Sequence, residues 1–495
     1  MPGNPRAESV ELLRAALVRA DYFADPVLEA ITVEGQRGLT RNHTFAASRA
    51  LGSRDDPLAT IIRLFILQEE QPLEAVIRAG VVDLVNWGLL TRSGDMFRAG
   101  VDIRPYSDET AWVDGWVVSD HAATLNTRNV PPSPDHVLGV SAASVSLSQI
   151  TPRRQVESAL DLGTGSGIQC LHLSHHALSI VATDVNKRAL DLAQWTCDLN
   201  DVRPQFRLGS LYEPVGDEKF DLITTNPPFV MSPVVGERLT YRETGYSSDE
   251  FMRAVVSGAG DPLNPGGSLH VLGNWAHVRG EPWQERLRSW VPVGCDAFVV
   301  QREVLDVCEY IEIWLADAGL NGTDSYLEKY QQWLDYFDTL GVEAVGMGWI
   351  AMVKSGSAIP RVTCLDWPHA VAQPVADDLM AHLDAMQYES WSDERVLDTT
   401  WILAPGTTQE TMGAPGAADP SHIVLRRQDG LKRAVEVDTG LGGVLGACDG
   451  DLPLGAIIAA VAEVLDVSAP ALVAEIVPQV RDLIATTWLT PVPQR

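Results

Sequence analysis

The sequence predicts an α/β fold, a mostly parallel sheet with helices on both faces, flanked by an N-terminal helical domain and a C-terminal α+β domain. Three observations predict it. Between about residues 119 and 368, apolar runs of strand length alternate with helix-period runs, the reading of a chain that builds a parallel sheet through crossover helices. Glycines cluster directly after the first of these strands, in ALDLGTGSG, where an open sheet brings its backbone close to a ligand. The length, 495 residues, corresponds to about three domains at roughly 150 residues each.

The first domain, residues 1–118, shows helical periodicity in ESVELLRAALVRA, PLATIIRLFILQEE, PLEAVIRAG and VVDLVNWGLL. It then passes into the Gly-punctuated extended stretch TRSGDMFRAGVDIRPY. Helices followed by a hairpin are the order of a winged helix, and an all-helical cap reads equally well. The second domain, 119–368, runs ESALDLG, IQCLHLSHHAL, SIVATDV, KRALDLAQWTCDLN, FDLITTN and GGSLHVLG, with GVEAVGMGWIAMVKSG as a late strand. The third, 385–495, is marked by the loop-like APGTTQETMGAPGAADPSH and ends in two helical runs, GAIIAAVAEVLDV and ALVAEIVPQVRDLIATTWL. It reads as a second winged-helix-like module or as a packing domain. Trp333, Trp349 and Trp391 read as core anchors.

Composition narrows the function. Hydrophobic residues make up 45% and charged residues 21%, which suits a globular protein with sizeable cores. No run of about 18 apolar residues occurs, and the start lacks the apolar centre of a signal peptide, so a cytoplasmic protein with no membrane partner is expected. Six scattered cysteines without a CxxC pair indicate neither disulfides nor zinc and are expected to be buried thiols. A net charge of −29 disfavours nucleic acid, whose phosphates are held by Lys and Arg. Residues 1–100 are closer to balance, with 11 Arg against 13 acids, which leaves room for a basic face built from Arg41, Arg49, Arg54 and Arg63.

The chemistry sits in the second domain. Asp161 ends a strand, and Gly163, Gly165 and Gly167 follow in GxGxG spacing before a helix whose first N–H groups are unpaired. That spacing differs from the GxGxxG of dinucleotide binders, which counts against a nicotinamide-dependent oxidoreductase. About twenty residues on, Asp184 closes the neighbouring strand, where an acid accepts both ribose hydroxyls. A further strand, FDLITTN, stops at Asn226-Pro227-Pro228-Phe229. Methylating a planar NH₂ requires redirecting a lone pair delocalised into the π-system. The Asn226 side-chain oxygen and the Pro227 carbonyl each offer to accept one N–H, Phe229 to stack on the flat group, and the two fixed proline φ angles to preorganise the acceptors. His172, His175 and His176 lack a Cys or acid at ligand spacing and read as a helix face rather than a metal site. Tyr241, Arg242 and Tyr246 in RETGYSSDE are candidates for a substrate loop.

At these residues the sequence resembles the class I S-adenosylmethionine-dependent methyltransferases of the NPPY/NPPF type, over about residues 120–300. The resemblance implies a Rossmann-like sheet of seven strands and S-adenosyl-L-methionine as cofactor. It assigns Asp161, Gly163, Thr164, Gly165 and Gly167 to the methionine side, Asp184 to the ribose, and Asn226 and Pro227 to the target nitrogen. Ser210 and Leu211, in RLGSLYEP, fall beside the adenine, with Ser210 where relatives carry an acid. The implied relatives methylate release-factor glutamine or the exocyclic amines of adenine or guanine in RNA and DNA. A protein substrate, such as a translation factor, is favoured over nucleic acid on charge. A catalytically silent S-adenosylmethionine-binding module is the alternative of another class.

Overall fold

The computed structural model describes residues 5–108, 112–122, 125–127, 133–233, 246–415 and 421–492. The chain divides into two compact units, one of Met1–Ser148, Arg153–Pro292 and Glu303–Gly348, the other of Gln149–Pro152, Val293–Arg302 and Trp349–Arg495.

The site is positioned by one sheet. Its strands are β1 (Val156–Leu162), β2 (Ala177–Asp184), β3 (Gln205–Leu208), β4 (Phe220–Thr225), β5 (Leu263–Val278), β6 (Asp296–Asp306), β7 (Val342–Val353) and β8 (Val362–Asp366). They lie in the order β3-β2-β1-β4-β5-β7-β6-β8. The pairs β1–β2, β2–β3, β1–β4, β4–β5 and β6–β8 are parallel. The chain builds outward from β1 through β2 and β3, then returns to the other side of β1 for β4. The carboxyl ends of β1 and β4 therefore flank a topological switch point, where open α/β sheets bind ligands. Strand β4 is buried along nearly its whole length, which is why FDLITT reads as an almost continuous apolar run.

The expected count of seven strands is corrected to eight. Val362–Asp366 adds to the edge, pairing with Ala297–Gln301. Five half-exposed residues carry too short an alternation to declare a strand from sequence. The helix expected in IQCLHLSHHAL stops at Leu173, because the His176 carbonyl accepts the Val156 N–H at 2.8 Å and draws the next residues into β2.

In the first unit, helices Pro5–Arg19, Ala24–Leu39, Phe45–Leu51 and Pro57–Ile61 lead through a π-helical turn, Ile62–Ile66, to helix Leu73–Ala79 and a 3-10 turn, Val82–Trp87. The last was expected to be helical through Leu90. Gly88, left-handed at φ 73°, ends the turn, and Leu90–Ser93 pairs instead with Met96–Ala99 as a hairpin. The helix Lys187–Leu199 is capped by the Asn186 side chain. It turns Ala189, Leu192, Trp195 and Leu199 into a core shared with Leu13, Leu17 and Phe65. Each large apolar side chain buried this way contributes about 1.5–3 kcal/mol.

The second unit contains helices Leu454–Val464 and Ala469–Ala485 and two three-stranded sheets, around a core that includes Trp401 and Trp488. Part of the stretch read as loop, Thr408–Met412, is a strand paired with His422–Arg426. Trp333 and Trp349 are buried, and Trp391 is half-buried against Tyr388 and Trp401. Four cysteines are buried as expected, but Cys308 is exposed and Cys364 half-buried. Among the described residues, no helix is long and apolar enough to cross a membrane.

Candidate active site

The carboxyl ends of β1, β2 and β4 open into a cavity of about 330 Å³, within the range of small-molecule sites, roughly 300–1,000 Å³. The Thr225 hydroxyl donates to the Leu162 carbonyl at 2.7 Å and ties the end of β4 to the end of β1. Asp161, Gly163, Thr164, Gly165, Asp184, Ser210, Leu211, Asn226, Pro227 and Pro228 all line the cavity.

The glycines divide by role. All three have positive φ: 76° at Gly163, 55° at Gly165 and 81° at Gly167. A Cβ on Gly167 would meet Ala193 at 3.1 Å, so this glycine lets the loop pack on the helix Lys187–Leu199. At Gly163 and Gly165 a Cβ would meet nothing within 4 Å. That free space faces the cavity and is open to a ligand. The loop's amides are otherwise engaged: Gly163 and Thr164 donate to the Thr183 carbonyl at 2.9 Å each, and Gly165 donates to Asp184 Oδ2 at 3.0 Å.

Asp184 therefore organises the loop, and its Oδ1 accepts the Asn186 N–H at 2.8 Å. Burial raises its pKa. Asp161, 1% exposed, accepts the Thr164 hydroxyl at 2.7 Å, and burial pushes its carboxyl up to about 6. Among the described lining residues there are two carboxylates and His136, and no Lys or Arg. Such a cavity favours a cationic ligand and opposes a pyrophosphate.

Asn226 is the decisive residue. Its Oδ1 is buried and has no hydrogen-bond partner among the described residues. An unpaired buried acceptor costs about 1–3 kcal/mol, and here it lies on the wall of a ligand-sized cavity. Phe229 does not line the cavity; it stands edge-on to Trp314, ring centroids 6.1 Å apart at 75°. His172, His175 and His176 lie outside it as well, with His172 Nε2 2.9 Å from the Tyr106 hydroxyl. Tyr246 reaches the cavity beside Phe251, whereas Tyr241 and Arg242 lie outside the described residues.

The sequence reading missed the wall formed by His136, Ser141 and Ser144. A local signal was present. Ser141 and Ser144 cap the helix Ala142–Ile150 reciprocally, Ser144 N–H to Ser141 Oγ at 3.2 Å and Ser141 N–H to Ser144 Oγ at 2.9 Å, so the SAAS spacing marks a helix start.

Residues 139–281 match the family described as Methyltransferase small domain. This methyltransferase segment contains the glycine loop, Asp184 and the Asn-Pro-Pro-Phe stretch. Residues 19–100 and 379–491 match two families described as domains of unknown function, DUF7059 and DUF7782. A release factor glutamine methyltransferase of Geobacter sulfurreducens is 36% identical over 23% of this chain and 44% of its own. A second, of Aliivibrio fischeri, is 37% identical over 17% of this chain and 31% of its own. A ribosomal protein uL3 glutamine methyltransferase of Bradyrhizobium diazoefficiens is 32% identical over 28% of this chain and 47% of its own. The chain spans less than half the length of each of these relatives.

Proposed function

We propose that the protein is an S-adenosyl-L-methionine-dependent N-methyltransferase acting on a planar NH₂ group, the side-chain amide of a protein glutamine. The observation that carries the reading is the buried Asn226 Oδ1, without a hydrogen-bond partner among the described residues, on the wall of the cavity that also holds the glycine loop and Asp184.

The residues present fit the cofactor. The acidic lining suits its sulfonium and ammonium charges, the space over Gly163 and Gly165 admits its methionine end, and Asp184 stands at the strand end suited to a ribose. When bound, the cofactor supplies an electrophilic methyl group. The chain's part is orientation. Asn226 Oδ1 and the Pro227 carbonyl accept the two N–H groups of the substrate, so the nitrogen lone pair turns toward the methyl.

A protein substrate from the translation machinery is supported by the relatives, named for release factors and a ribosomal protein. The charge of −29 points the same way. The test is to incubate the protein with tritiated S-adenosylmethionine and an extract of its own host, then digest with protease or with nuclease. Label lost to protease and kept through nuclease is expected. The reverse would replace the glutamine with an exocyclic amine of a nucleobase, and no label at all would favour a silent binding module.

A further inference from the structure

We propose that Tyr310 is a positioning residue for methyl transfer, holding the Asn226–Met231 segment from a helical pair that none of the matched families covers. The inference rests on the methyltransferase reading above. Tyr310 lies on the helix Val307–Asp317, which packs against the helix Tyr326–Leu340, and both fall between residues 281 and 379.

The segment is pinned at both ends. Before Asn226, the Thr225 hydroxyl is bonded to Leu162. After it, the Met231 N–H donates to the Tyr310 hydroxyl at 3.0 Å. Met231 is 1% exposed and Tyr310 0%, and both belong to one apolar core with Trp333 and Phe337. Between the pins, Pro227 and Pro228 fix two φ angles and Phe229 is set against Trp314 of the same helix. Little backbone freedom remains to the residue that carries the unpartnered acceptor. The Tyr310 hydroxyl also receives the Asn274 amide at 3.0 Å.

A second tyrosine repeats the device beside Tyr246 and Phe251. The Tyr336 hydroxyl, from the helix Tyr326–Leu340, accepts the Ser248 N–H at 2.7 Å, and Ser248 is held left-handed at φ 51°. The next residue, Asp249, is 3% exposed and accepts from Ala276 N and Arg286 Nε at 2.8 Å each. These bonds set the place of Tyr246 and Phe251 in the cavity wall. A misplacement of about 1 Å in a reacting arrangement costs on the order of a hundredfold in rate, which is why the anchoring of such a segment matters.

The test is Tyr310→Phe, which removes the hydroxyl and keeps the ring, in the full chain. Expected are an S-adenosylmethionine dissociation constant within about twofold of wild type, amide exchange at Met231 about tenfold faster or more, and methyl transfer to host extract about tenfold slower or more. Val345→Ala, in the same apolar core, is the packing control and should lower the melting temperature without slowing transfer at 25 °C. Equal transfer rates in wild type and Tyr310→Phe would overturn the inference alone. Slowing of Val345→Ala to the same extent would also overturn it, since packing would then explain the loss. Absence of transfer by the wild-type protein would overturn the enzymatic reading and this inference with it.

Discussion

At the scale of single residues, the carboxylates carry the testable electrostatics. Asp161 sits near pKa 6 because burial disfavours its charged form. The folded chain thus holds this proton more tightly than the unfolded chain, whose value is about 3.9. Its contribution to stability is fully present below about pH 4 and falls away as pH rises toward 6. Affinity for a cation runs the other way, because the cation favours the carboxylate. Calorimetric titration with S-adenosylmethionine should show affinity dropping by up to about tenfold per unit as pH falls below 6, and Asp161→Asn should flatten that dependence. A wild-type profile already flat from pH 5 to 7 would remove Asp161 from the binding field. Asp184→Ala removes charge-assisted bonds worth about 1.5–3 kcal/mol and should weaken cofactor binding about tenfold to a hundredfold. Because Asp184 also holds Gly165 and Asn186, the thermal stability of the free protein should fall too. An unchanged dissociation constant would refute the ribose assignment.

At the scale of elements, the glycine loop separates packing from ligand space. Ala substituted at positive φ costs about 1–2 kcal/mol wherever it occurs. Gly167→Ala adds a contact with Ala193 at 3.1 Å and should appear chiefly as a lower melting temperature. The Cβ of Gly163→Ala meets no atom of the described residues within 4 Å, so it should appear chiefly as weaker cofactor binding. Identical profiles for the two variants would show that the open space over Gly163 is not the ligand's. The parts of the site formed by strand ends were legible because each strand announces its end: Leu162 runs into glycines, Asp184 into the cap residue Asn186, and Thr225 into Asn226 and two prolines. The helical pair 307–340 was not, since its hold on Met231 and Ser248 joins residues far apart in sequence. Phe229 shows the same limit, since its place beside Trp314 is set by that pair. Strand β8 was missed for a different reason, its shortness at an edge.

At the scale of the whole molecule, charge and partition matter. With 66 acids against 37 bases, a substrate held by its phosphates finds few partners. Raising salt from about 50 to 200 mM should alter methyl transfer by less than about threefold, whereas an enzyme making several phosphate contacts would lose on the order of a thousandfold. The chain forms two compact units, and residues 1–118 belong to the first along with most of the sheet. The reason is visible in the apolar core that joins the helix Lys187–Leu199 to Leu13, Leu17 and Phe65, contacts that periodicity within one helix does not foretell. The central claim, that Asn226 orients a planar nitrogen for methylation, is tested most directly by the single-turnover rate of Asn226→Ala at saturating S-adenosylmethionine. A fall of about two to three orders of magnitude with the cofactor dissociation constant unchanged is expected. A rate equal to wild type, or a loss of cofactor binding that accounts for the whole fall, would contradict it.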